Sequence, residues 1–243
     1  MSEQGTPPEA TSEGETPVFR VGILIFDDMT LLDSVGPADI FARVPGVEVV
    51  MIGRDERAVV TDSGTLVLPA ATIADAPILD VVFVGGGAGV TPLLSDQEVL
   101  EFLRERAATA QWVTSVCTGA LVLGAAGLLD GYDAATHWTV MHLLPALGAR
   151  PVERRVVIDR NRITGGGVTA GIDFALRVVA RLWGSDLAEM IQLACEYDPE
   201  PPFSTGSPRI APPGLIAQCR QAASELTEKR RIAVELAAGR LYR

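Results

Sequence analysis

Residues 112–129 read WVTSVCTGALVLGAAGLL, a short β-branched run that passes into Cys117-Thr118-Gly119 and then into an Ala/Leu/Gly segment of helical character. No loop separates the two, so the turn is tight. A side chain at such a strand-to-helix corner projects from the sheet edge and meets the helix N-terminus, whose unpaired N–H groups and positive dipole end favour an anion. Cys117 is therefore placed as a nucleophile, in a corner like the elbow of serine hydrolases with Cys-Thr-Gly in place of the serine pattern. A free thiol of pKa about 8.5 is a few per cent ionised at neutral pH, and a fall of about two units would make it mostly thiolate. The reading expects an ionised sulfur.

Working upstream, Phe19 to Phe26 (FRVGILIF) reads as a buried first strand, followed by helical spacing from Leu31 to Val44 around Gly36-Pro37. Asp27, Asp28 and Asp33 lie near the carboxyl end of that strand, where ligands bind in open parallel sheets. Asp33 stands out because Leu31 and Leu32 set it among apolar neighbours. Val47 to Ile52 is a second strand, Gly64 to Ala70 an excursion or hairpin, and Ile78 to Val84 a further buried strand. That strand ends in Gly85-Gly86-Gly87-Ala88-Gly89, whose backbone can approach a ligand and present N–H groups. Val90 stands where the dinucleotide fingerprint needs its third glycine. Asp96 to Ala110 is an amphipathic helix returning the chain to the Cys117 strand, so the alternation argues a mainly parallel sheet with helices on both faces.

Downstream, His137 follows Ala135-Thr136 and precedes Trp138, as a candidate base or an orienting group, while His142 sits in a short helical stretch from Met141 to Leu147. Arg154 to Thr164 reads as two short strands joined at Asp159 to Asn161. Gly165 to Ala170 then fits G-x-G-x-x-A, but Gly171 to Glu196 is helical almost throughout, with no following strand and acidic residue for a ribose. The small residues are better read as room for close helix packing. Cys195 reads as core, Pro199 to Pro213 as a loop, and Leu215 to Leu241 as one charge-laced helix that covers the sheet or docks on another subunit.

Composition bounds the rest. With 243 residues and 48% hydrophobic content, residues 18–243 are expected to form a single domain behind a disordered tail, Met1 to Pro17. A net charge of −11 argues against nucleic acid as a partner. Three cysteines without a secretory leader point to a reducing, cytoplasmic setting, and the apolar run Gly119 to Leu129 is too short to span a bilayer. Neither histidine has metal-ligand spacing with the cysteines, so no metal is expected.

Taken together, a cysteine elbow, a Gly-rich loop after the preceding strand and an acidic residue after the first strand resemble the ThiJ/PfpI superfamily from about Val18 to Glu196. The motifs are Ser115-Val116-Cys117-Thr118-Gly119, Ala135-Thr136-His137-Trp138, Leu31-Leu32-Asp33 and Gly36-Pro37. Gly165-Gly166-Gly167, Gly171-Ile172-Asp173-Phe174 and Pro201-Pro202-Phe203 extend the likeness to the isonitrile (isocyanide) hydratase branch. The resemblance implies a flavodoxin-like α/β three-layer sandwich, a homodimer, a small-molecule substrate and no cofactor. It makes Cys117 the nucleophile and Asp33 the carboxylic group beside its sulfur. The N–H groups of Gly87 and Thr118 would form the anion-stabilising pocket, the Thr118 hydroxyl would orient Asp33 or water, and Gly86 and His137 would border the pocket. The implied activity is a hydro-lyase adding water to an isocyanide through a cysteine thioimidate. Thr118 stands where protease-like members carry histidine, which argues against peptidase activity, and Gly85 stands where relatives usually have proline. Alternatives are a glyoxalase-like or small-amide hydrolase, or a ligand-sensing domain like that of AraC-type regulators. The last would need two helix-turn-helix units, and about thirty residues follow Pro213.

Overall fold

The buried runs of the sequence become neighbouring strands in the computed structural model, which describes residues 18–242. The expected N-terminal tail, residues 1–17, lies outside the described residues. In chain order the strands are β1 (Phe19–Leu24), β2 (Val47–Gly53), β3 (Val59–Val60), β4 (Leu66–Val67), β5 (Ala71–Thr72), β6 (Val81–Val84) and β7 (Trp112–Ser115). There follow β8 (Asp133–Ala134), β9 (Arg150–Pro151), β10 (Val156–Asp159) and β11 (Arg162–Gly165). Seven of them make one sheet in the order β10-β11-β7-β6-β1-β2-β5. Every pairing in it is parallel except the β10–β11 hairpin. β6 (VVFV) is buried along its whole length, as a central parallel strand covered on both faces must be.

The helices are α1 (Leu31–Phe41), α2 (Val90–Leu93), α3 (Gln97–Thr109), α4 (Gly119–Ala125), α5 (Ala170–Trp183), α6 (Ser185–Ala194), α7 (Pro213–Ala222) and α8 (Ser224–Leu241). On one face α1 packs against α5, where Phe174 meets Phe41 and Phe83 edge-on or tilted. On the other, α3 and α4 cover β6 and β7, and α8 lies across α4. This is the flavodoxin-like sandwich.

Two sequence expectations change. The segment from Leu215 to Leu241 is two helices, broken at Ala223, where the Ser224 hydroxyl turns back to donate to the Gln221 carbonyl at 2.7 Å. The Met141–Leu147 stretch is a 3₁₀ helix containing Pro145, which lacks the N–H an α-helix would need.

Topology places the chemistry. From β1 the chain crosses to β2 on one side, and β6 returns to pair on the other, so β1 and β6 flank a switch point of the kind at which ligands bind. Leu24, Val84 and Ser115 share one level of the sheet, so the loops after β1, β6 and β7 leave it side by side. These loops carry Asp33, the glycine run and Cys117. Their contact depends on Gly119, where a Cβ would stand 2.1 Å from the Val84 carbonyl oxygen and 2.6 Å from that of Gly85. Both obstacles are backbone and cannot rotate away. Gly119→Ala is expected to cost more than about 2 kcal/mol, read as a lower urea midpoint at unchanged slope; a midpoint equal to that of the unsubstituted chain would refute the close approach.

Candidate active site

Cys117 occupies a corner that its backbone would not choose. Its φ of 52° lies in the left-handed region, a conformation that costs a non-glycine residue about 1–3 kcal/mol and persists only where surroundings over-determine it. Here they do. The Cys117 N–H donates to the Gly166 carbonyl at 2.8 Å, and its carbonyl accepts from the Thr136 hydroxyl at 2.7 Å and the His137 N–H at 3.3 Å. The Thr118 and Val168 backbone N–H groups favour charge on the sulfur, and the Asp33 carboxyl opposes it.

Asp33 lies in the first turn of α1 and is fully buried. Its Oδ2 accepts the Gly86 N–H at 2.7 Å, while Oδ1 is buried with no hydrogen-bond partner. Burial raises its pKa to about 6, above the pull of the Gly86 N–H and the Cys117 thiol in the opposite direction. The same burial, together with the Asp33 charge, pushes the Cys117 thiol up to about 12. The expected resting thiolate is thus corrected. A sulfur 5% exposed beside a carboxylate keeps its proton, and the seven-residue α4 supplies too little dipole to offset that.

The glycine run is held more tightly than the sequence reading allowed. Gly87 (φ 137°) has Asp28 and Met29 backbone within 2.6 Å of where a Cβ would be. Its N–H donates to the Thr118 hydroxyl oxygen at 3.1 Å, so it is not a free donor for an anion. The Thr118 hydroxyl is correspondingly committed to Gly87 rather than to Asp33 or water. Gly86 has its N–H on Asp33. The N–H groups that favour charge on the sulfur are those of Thr118 and Val168; sequence reasoning missed the second because nothing in a G-x-G-x-x-A run announces it.

His137 is brought in as a wall. Its Nδ1 shares a hydrogen bond with the Thr139 hydroxyl at 2.7 Å and its ring covers Gly167. Burial and the nearby Arg230 charge lower its pKa, so it is neutral. With Trp138, Met141, Gly167, Val168 and Ile216 it lines a cavity of about 690 Å³. Cys117 is not among the residues that line it, although Gly166, whose carbonyl accepts the Cys117 N–H, is. Asp27 instead accepts the Val60 N–H at 2.9 Å and pins the β3–β4 hairpin. Arg230, on α8, is a second residue the sequence reading missed. It is 6% exposed, and its Nη2 donates to the Gly87 carbonyl at 2.6 Å. Its signal was the inward spacing of Arg230, Val234 and Ala237 on α8.

A carboxyl and a thiol sharing one proton, with backbone donors on the sulfur, can deliver a nucleophile and an acid to one carbon. Among the described residues no group of three His, Cys, Asp or Glu side chains is placed to hold a metal ion, and no helix is long and apolar enough to cross a membrane.

Residues 19–181 match the DJ-1/PfpI family. The chain belongs to that family. Among its relatives is the isonitrile hydratase of Pseudomonas putida, 48% identical over 92% of this chain and 98% of the relative. The crystal structure of a ThiJ/PfpI family protein from Pseudomonas syringae superposes with a TM-score of 0.87 at 40% identity, covering 97% of this chain and 98% of that one. The HTH-type transcriptional regulator GbdR of Pseudomonas aeruginosa is 32% identical over 73% of this chain, which spans half of the regulator's length.

The DJ-1/PfpI carboxyl generates a stability prediction. With its pKa raised from 3.8 to about 6 in the fold, Asp33 holds its proton more strongly folded than unfolded. Its ionisation therefore weakens the fold as pH rises through that window, by at most about 3 kcal/mol above it, and costs nothing below. Asp33→Asn should raise the urea midpoint near neutral pH, with the gain over the parent shrinking to nothing near pH 4. A gain independent of pH would contradict the raised pKa.

Proposed function

We propose that this protein is an isonitrile hydratase, a hydro-lyase that adds water to an isocyanide to give an N-substituted formamide. The observation that carries the reading is the buried Asp33–Cys117 pair, and the 48% identical isonitrile hydratase over nearly the whole chain supports it.

The terminal carbon of an isocyanide accepts a soft nucleophile and then a proton. Asp33, with a pKa of about 6, is ionised near neutrality and takes the thiol proton as the sulfur approaches that carbon. The C–S bond forms, and the proton passes from Asp33 to the same carbon, leaving a thioimidate. The Thr118 and Val168 N–H groups hold the negative charge on sulfur while it exists. Water then adds to the C=N carbon, and Asp33 takes one water proton and passes it to the nitrogen, while the other stays on the new hydroxyl until the sulfur leaves. Collapse to the carbonyl expels the sulfur, which recovers its proton, and the formamide leaves. Each step suits a carboxyl that takes and gives protons near neutrality; an unperturbed aspartate would be a weaker acid catalyst there.

In this reading the roughly 690 Å³ cavity, whose lining includes Gly166 and Val168 next to the elbow, receives the substituent. The three cysteines are free, in keeping with a cytoplasmic setting, and the acidic balance speaks against nucleic acid as a partner. A homodimer is proposed too, with exposed apolar side chains such as Leu193 and Phe203 available to a second copy.

The test is formamide production from an aryl isocyanide, with methylglyoxal and a simple amide run in parallel. The isocyanide should be the preferred substrate, and Cys117→Ala should lower its turnover at least about a thousandfold. Rapid quenching should trap the protein with the mass of one added isocyanide, on the Cys117 peptide. Turnover at parental rate by Cys117→Ala, or a faster reaction with either competitor, overturns the assignment.

A further inference from the structure

A guanidinium taken out of water costs several kcal/mol unless charge and hydrogen bonds compensate it. Arg230 is such a group. It projects from the inward stripe of α8, beside Val234 and Ala237, and is 6% exposed. Its Nη2 donates to the Gly87 carbonyl at 2.6 Å, and its Nε is buried without a partner. Among the described residues no carboxylate forms an ion pair with it. The acids of its own helix are engaged elsewhere, Glu225 with Lys229, and Glu228 and Glu235 with Arg231. What it faces is the site.

We propose that Arg230 is a positioning residue of the reaction: its guanidinium fixes the Gly87 carbonyl and supplies the positive charge that draws the proton of the Asp33–Cys117 pair off sulfur and onto the carboxyl. Two features of the structure carry this. Gly87 is the joint of the glycine loop, with its N–H on the Thr118 hydroxyl and its carbonyl on Arg230, one residue from the N–H that holds Asp33. Arg230 therefore secures the loop that secures the carboxyl. Second, the pair carries a single negative charge wherever its proton sits, and moving the proton from sulfur to Asp33 moves that charge. The Arg230 charge acts on both Cys117 and His137, so it favours the arrangement with the charge on sulfur.

The other groups facing the sulfur do not supply that charge. Asp33 from α1 opposes it, Asp62 beyond β3 adds to the load on Asp33, His137 is neutral, and Thr118 and Val168 offer only N–H dipoles. Arg230 also lies beyond residue 181, where the family match ends. A helix outside the shared segment thus completes the electrostatics of a site built within it.

The inference rests on Cys117 as the reacting sulfur, and its test uses no isocyanide, so it and the substrate assignment fail separately. The readout is ultraviolet thiolate absorbance as pH is raised, taken as each protein minus its Cys117→Ala counterpart, which needs no reagent to enter the site. Arg230→Gln keeps a donor for Gly87 and removes the charge, whereas Arg230→Lys keeps the charge. Thiolate absorbance at pH 11 should fall at least about fivefold in Arg230→Gln and stay near the parent in Arg230→Lys. Should Arg230→Gln lose its fold, Arg230→Ala with millimolar methylguanidinium replaces it, and the added cation should restore the parental absorbance. An unchanged absorbance in Arg230→Gln, an equal fall in Arg230→Lys, or no recovery with methylguanidinium overturns the proposal.

Discussion

A cysteine held at a φ of 52° is the constraint from which the rest of the molecule follows. The strain is sustained because the Cys117 backbone is gripped from three sides: by the Gly166 carbonyl after β11, by the Thr136 hydroxyl and His137 N–H after β8, and by α4 itself. Each grip requires the sheet to be assembled. The elbow is therefore a product of the whole β11-β7-β6 ladder, and its cost is met by the large apolar core beneath it.

Glycine makes the assembly possible by letting backbone touch backbone. At Gly119 the elbow rests on the carbonyls that end β6, and at Gly87 the loop lies against Asp28 and Met29. Side chains at either place would push apart the loops after β1, β6 and β7. The consequence is a dry, close-packed site in which Asp33 and Cys117 both resist ionisation.

That dryness sets the chemistry. In water the carboxyl would be a poor acid catalyst at neutral pH and the thiol would be a few per cent ionised; inside, the carboxyl titrates near neutrality and the thiol depends on it to lose its proton. The pair acts as one acid–base unit with a single mobile proton. The N–H groups of Thr118 and Val168, and the guanidinium of Arg230, bias where that proton rests. The two ion pairs of Arg231 on α8, by contrast, are solvent-screened and of little energetic weight.

The sequence by itself determined the alternation of buried strands and helices, the strand-to-helix corner at Cys117 and the glycine run after Val84. It also singled out Asp33 as an acid in apolar company. These are local properties, written in hydrophobic spacing and in residue types that tolerate a turn. Only the tertiary structure decided what those groups do to one another. That the Gly87 N–H is taken by Thr118, that the Val168 N–H favours charge on the sulfur, and that α8, starting after the break at Ala223, carries Arg230 inward all join residues far apart in the chain. The protonation of Cys117 belongs to the same class. A helix N-terminus can be read from sequence and argues for a thiolate, but burial and the facing carboxylate exist only once the chain has closed over them, and in a low-dielectric interior they outweigh it.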